Sequence, residues 1–324
     1  MIIEAKVLKV GSLQEWDISD IIIGDLKWTT EIKSSFPGRL SIKIIDDEKL
    51  KIDNGDIISL KIDGINQFKG MVRNRRFGEQ NTVNLTVYDH KFLLKSKDTY
   101  NFGVMTASER FSIACDLIGI PSVIRQGVTV PLGDYICDGK SMYEVIQDGI
   151  DETYTRTGQR YAIKDSFGTL EFFSLNHLVT PTIVGDDSLV QSYDYENSIE
   201  DIINSIKVIK EDSETNERVI ANAKDSASVQ KYGLIQEVDK PENDEMNQAQ
   251  MQEQAETTLK ENNKEQKTLS MTCTGHFSVV AGNTVQLKIK KLESEGLYDK
   301  PLLVTKCTHI FGEVHIMDLE LEVV

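Results

Sequence analysis

The stretch Asn54-Gly55-Asp56-Ile57-Ile58-Ser59-Leu60-Lys61-Ile62 decides the fold, because it returns later as Ala281-Gly282-Asn283-Thr284-Val285-Gln286-Leu287-Lys288-Ile289. Each copy joins a glycine corner to a strand. Glycine and its Asp or Asn neighbour tolerate the positive φ that a tight corner needs. The β-branched, period-2 run that follows predicts an extended segment with one face buried.

Working outward, the two copies match in order. Leu40-Ser41-Ile42-Lys43-Ile44 precedes the first as Leu269-Ser270-Met271-Thr272-Cys273 precedes the second. Phe77-Gly78-Glu79 follows the first and Phe311-Gly312-Glu313 the second, and each Phe precedes by eight residues a Leu (Leu85, Leu319) inside an alternating run. The second copy carries extra polar residues, Lys290 to Gly296, expected in an exposed loop. The chain thus predicts two β lobes of one kind.

Between them the period changes. Thr106 with Glu109, and Ser141 with Glu144, are capping-box pairs, each opening a stretch with an apolar helical face. The first helix should end near Gly119 and Pro121, the second by Thr157-Gly158. Arg160 to Lys164 and Thr169 to Phe173 predict a hairpin around a four-residue turn, Asp165-Ser166-Phe167-Gly168. A short helix is expected over 225–231, ended by Gly233, and a largely solvated helix within 241–265. Glu211 to Glu217 is expected as a polar tip. The fold class expected is mainly β with an α+β middle: two similar β-barrel or sandwich, tube-like domains, 1–97 and 191–324, flank a helix-plus-hairpin domain, 98–190.

Acidic residues outnumber basic ones 52 to 36, for a formal charge of −16, which opposes the phosphate neutralisation that DNA binding requires. No sequence-specific nucleic-acid partner is expected. No apolar run approaches the roughly 20 residues that span a bilayer, and the N-terminus lacks a secretion signal, so synthesis in the cytoplasm and no stable membrane association are expected. Cys115, Cys137, Cys273 and Cys307 are expected as reduced, packed thiols.

Chemical motifs are sparse. Cys273 and His276 with Cys307 and His309 are zinc-type ligands, but 273 and 276 lie three apart on a strand and so face opposite sides. Asp46-Asp47-Glu48 and Asp151-Glu152 are the acidic clusters a glycosidase pair would draw on, Asp53 and Asp56 fall short of a calcium loop, and Trp16 and Trp28 suit core or interface anchors better than sugar stacking. Neither catalytic, cofactor nor metal residues are expected, and the chain is not expected to be an enzyme. The basic cluster Arg73, Arg75 and Arg76 suits either a solvated strand end or a contact with an acidic neighbouring subunit.

Two lobes per chain let a ring of three subunits display six similar domains, matching a sixfold ring on one side and a threefold object on the other. Further patterns run in order along the chain: Phe68-Lys69-Gly70-Met71-Val72, Tyr88-Asp89 before Leu93-Leu94, Asp138-Gly139-Lys140-Ser141, Asp225-Ser226-Ala227-Ser228 before Tyr232-Gly233, and Thr308-His309 before His315-Ile316-Met317. With them the chain resembles the baseplate hub proteins of contractile phage tails, defective prophages and phage-tail-like bacteriocins. The resemblance implies a homotrimer in the tail baseplate of a phage or bacteriocin particle, assembled in the bacterial cytoplasm, with the tail tube protein, the central spike protein and other baseplate proteins as partners. The alternatives are a tail-tip peptidoglycan hydrolase and a carbohydrate-binding β protein.

Overall fold

The computed structural model describes residues 2–33, 35–46, 49–175, 179–211, 218–241 and 246–323; Asp47 and Glu48 of the first acidic cluster and 212–217 of the expected polar tip lie outside them. The chain divides into two compact units, 1–193 with 270–324, and 194–269.

The first unit opens with seven strands: β1 (Ile3–Lys9), β2 (Gln14–Asp17), β3 (Leu26–Glu31), β4 (Arg39–Ile45), β5 (Ile57–Ile62), β6 (Ile65–Gly78) and β7 (Thr82–Tyr88). Alternation dictates their faces: Leu40, Ile42 and Ile44 of β4, and Ile58, Leu60 and Ile62 of β5, are buried in one core with Trp28 and Phe311.

The middle follows as β8 (Lys97–Asn101), α1 (Ala107–Leu117), β9 (Ser122–Ile124), β10 (Ile136–Ser141), α2 (Met142–Thr157), β11 (Tyr161–Ser166) and β12 (Thr169–Ser174). Both expected capping boxes form, and Gly158 ends α2 in the left-handed region. The β11–β12 hairpin turns more tightly than expected. Ser166 pairs with Thr169, leaving only Phe167 (φ 52°) and Gly168 (φ 98°) in the turn, the two-residue type that matches the twist of a hairpin.

The remaining strands are β13 (Val179–Gly185) and β14 (Val190–Ser198), then β15 (Ser205–Glu211), β16 (Arg218–Lys224), α3 (Ser226–Tyr232), β17 (Gln236–Asp239) and α4 (Gln248–Asn262), and finally β18 (Gln266–Thr274), β19 (Thr284–Lys288), β20 (Lys300–Phe311) and β21 (His315–Val323). In the second unit α4 packs Met251 and Ala255 onto Ile206, Val208, Ala221 and Ala223 of the β16-β15-β17 sheet; its other residues are exposed or half-buried.

The large sheet shows the duplication. One half runs β3-β4-β7-β6-β5-β1 and the other β14-β18-β21-β20-β19-β13, the same order strand for strand. The glycine corners coincide in detail. Gly55 N–H donates to Val72 O (2.9 Å) and Val72 N–H to Asp56 O (2.8 Å), while Gly282 N–H donates to Val304 O (2.8 Å) and Val304 N–H to Asn283 O (2.8 Å). Both glycines have positive φ, 100° and 95°. A one-residue bulge follows each valine, at Arg73 and at Thr305. The halves join where β20 pairs antiparallel with β3, Lys306 opposite Glu31 through Phe311 opposite Leu26.

Candidate functional site

The Phe-Gly-Glu marks do not occupy equivalent places. Counted from the shared valine, Phe77 is five residues on and Phe311 seven, so the structural counterpart of Phe77 (opposite Val83) is His309 (opposite Met317). Phe77 is 66% exposed, whereas His309 and Phe311 are buried.

His309 lies in an aromatic stack, 5.2 Å from the Trp28 ring and 5.7 Å from Phe311. Its Nε2 is 2.8 Å from Val279 O and its Nδ1 is 3.0 Å from His315 Nε2. A neutral His309 satisfies both contacts by donating from Nε2 and accepting at Nδ1. Burial, opposed by the Val279 bond and reinforced by His315, lowers its pKa to about 4. Cys307 and Cys273 are buried, their thiols pushed upward by desolvation, Cys273 to about 12. Among the described residues no group of three His, Cys, Asp or Glu side chains is placed to hold a metal ion.

A second polar cluster joins the first lobe to the middle. Asp89 caps the short helical turn His90–Lys95, accepting from Lys91 N–H (3.0 Å) and from Gly38 N–H (2.8 Å). Asp165 accepts from His90 N–H (2.8 Å) and from Gly168 N–H (2.6 Å). Burial, then the nearby Asp165 carboxylate, raises the Asp89 pKa well above its ordinary value, and burial lowers Lys91 to about 8. These groups line a cavity of about 160 Å³ with Trp28, Glu31 and Lys164. Each buried charge has backbone or ionic partners, which is the chemistry of a joint.

The other candidates disperse. Glu152 pairs with Arg156 (2.5 Å), while the neighbouring Asp151 accepts from Gln147 (2.8 Å) and is raised by burial. Asp53 and Asp56 both bind Lys9, at 3.0 and 2.6 Å. The basic cluster separates: Arg73 stacks on Phe92 (4.3 Å), Arg75 binds Asp53 (3.0 Å), and Arg76 is exposed. Trp16 is 44% exposed on β2, at one end of the sheet. Sequence reasoning missed β3, whose Leu26, Trp28 and Thr30 alternate too weakly to mark a strand, and with it the lobe junction.

Residues 26–322 match the YQBQ-like family. The uncharacterized protein YqbQ of Bacillus subtilis is 29% identical over 207 residues, 63% of this chain and 62% of that one. Protein XkdQ of the phage-like element PBSX, also from Bacillus subtilis, is 27% identical over 219 residues, 67% of this chain and 66% of that one. The matches thus span slightly less than two thirds of each relative's length. Among solved structures, the 43 kDa tail protein of prophage MuSo2 from Shewanella oneidensis superposes with a TM-score of 0.71 at 14% identity, covering 99% of this chain and 98% of that one. The tail protein of Neisseria meningitidis MC58 gives 0.71 at 15%, covering 99% and 96%. The chain belongs to the YQBQ-like family, and its mainly β fold is that of phage tail proteins.

Proposed function

We propose that this chain is a structural baseplate hub of a contractile phage tail or phage-tail-like bacteriocin, a homotrimer joining the sixfold tail tube to the threefold central spike. The observation that carries the proposal is the duplicated six-strand order joined in one chain through β20 and β3. Three copies carry six such lobes, and a closed ring of similar units suits a sixfold partner, while the threefold repeat of whole chains around that ring suits a trimeric one. The tube protein, the spike protein and other baseplate proteins are the partners this role requires. The net charge of −16 keeps a lumen from trapping DNA by like-charge repulsion. On this reading 1–97 together with β13, β14 and β18 to β21 are the tube-like parts, and the remainder of 98–190 is the supporting domain. The role is mechanical, without turnover. Reconstitution tests it: purified chain mixed with tube and spike proteins should form one complex holding three copies, and failure to bind either protein would defeat it.

A further inference from the structure

Among the described strands, nothing is laid against the outer side of β11. The small sheet runs β11-β12-β9, so β12 covers one side of β11 and the other stays open. Leu175 N–H donates to Arg160 O (2.9 Å), which fixes the phase of the ladder. Arg160, Ala162 and Lys164 bond toward β12, whereas Tyr161 and Ile163 turn their N–H and C=O groups outward. Those outward groups have no hydrogen-bond partner among the described residues. Both residues are nonetheless buried, Tyr161 8% and Ile163 3% exposed. Backbone groups at such a place call for a partner.

The open edge borders a cleft of about 630 Å³, within the size range that ligands occupy. Four consecutive residues, Arg160 to Ile163, line it, as the edge of a strand does and its face does not. Alternation separates the two walls. Tyr161 and Ile163 belong to the core under α2, which lines that wall with Gln147, Ile150, Asp151 and Tyr154, one helical face. Ala162 belongs to the opposite cluster, with Ile32 and Leu303. At the rim Glu322 pairs with Arg160 (3.2 Å) and Lys33 (2.5 Å), so that with Asp151 the lining carries two cations and two acids.

We infer that this cleft receives an extended, uncharged segment of a partner protein, added antiparallel to β11 as a fourth strand. Backbone bonds to Tyr161 and Ile163 supply the attachment, and alternate side chains supply the selectivity. The segment's residue opposite Ala162 meets Ile32 and Leu303 and so is aliphatic. The residues on either side of it meet Gln147 and Asp151 and so carry hydroxyl or amide groups. β-Branched residues suit both places. A charged segment gains nothing from a rim whose charges cancel and loses hydration against the apolar wall.

The full chain is titrated with the peptide Gly-Ser-Thr-Val-Thr-Ser-Gly, blocked at both ends, while hydrogen exchange is followed residue by residue. Exchange at the Tyr161 and Ile163 amides should slow by about tenfold or more at saturation. Methylating the backbone nitrogens of the two Thr residues, which face β11, should abolish binding. Methylating that of Val, which faces away, should leave it intact. Equal binding by the two methylated peptides, or unchanged exchange at both amides in about 1 mM peptide, overturns the proposal. Protection of the same amides in the chain alone, lost on dilution, also overturns it, by assigning the cleft to a second copy.

Discussion

Phe77 and His309 hold the same place in their lobes, opposite Val83 and Met317, yet one faces solvent and the other is enclosed between Trp28 and Phe311. Packing therefore separates them energetically. In the isolated chain, Phe77→Ala should change stability by no more than about 0.5 kcal/mol, as at other exposed sites. Phe311→Ala, which empties the stack, should cost about 3–5 kcal/mol. Urea unfolding of the two variants, analysed at equal m-value, checks the contrast.

His309 makes stability depend on pH. Its pKa falls from 6.5 to about 4 on folding, so between those values the unfolded chain holds a proton that the folded chain refuses. Stability contributed by the neutral ring is complete above pH 6.5 and is lost as pH falls toward 4, by about 3 kcal/mol. His315, lowered by burial and by His276, acts in the same direction. Melting temperature measured from pH 7.5 to 4 should fall, and less steeply in His309→Gln.

Removing one partner of the buried joint should be costly. Asp89→Ala strips the cap from Lys91 N–H and the acceptor from Gly38 N–H, and takes away the carboxylate whose attraction supports the charged Lys91. A loss of about 3–5 kcal/mol is expected. Asp89→Ala with Lys91→Met should recover a large part of it. Denaturant titration of the three proteins measures the recovery.

The corner glycines respond differently to a methyl group. A Cβ at Gly282 would sit 2.8 Å from Phe173 Cζ, on top of the positive φ, whereas Gly55 faces open space. Gly55→Ala should cost about 1 kcal/mol from backbone strain alone. Gly282→Ala should cost at least about 1 kcal/mol more, because Phe173 is itself buried. Thermal unfolding ranks them.

The duplication was legible because a glycine corner and an alternating strand leave local marks, and the capping boxes announced both middle helices. The mistaken Phe match was beyond alternation to detect: a displacement of two residues keeps a side chain on the same face of a strand. The turn at Phe167-Gly168 escaped because an aromatic residue at positive φ carries no turn signature. Asp89, Lys91 and Asp165 looked like surface charges, since burial of a charge depends on partners distant in sequence. Leu292 shows the same limit. It is buried within an insertion whose polar composition predicts only an exposed loop.

The central claim, that two lobes in one chain serve a threefold assembly, is tested most directly by native mass spectrometry at low micromolar concentration, alone and with tube and spike proteins. Each chain has a mass of 36.5 kDa. The account predicts a species of three chains, about 110 kDa, alone or within the larger complex. A chain that stays at 36.5 kDa under every one of these conditions would contradict it.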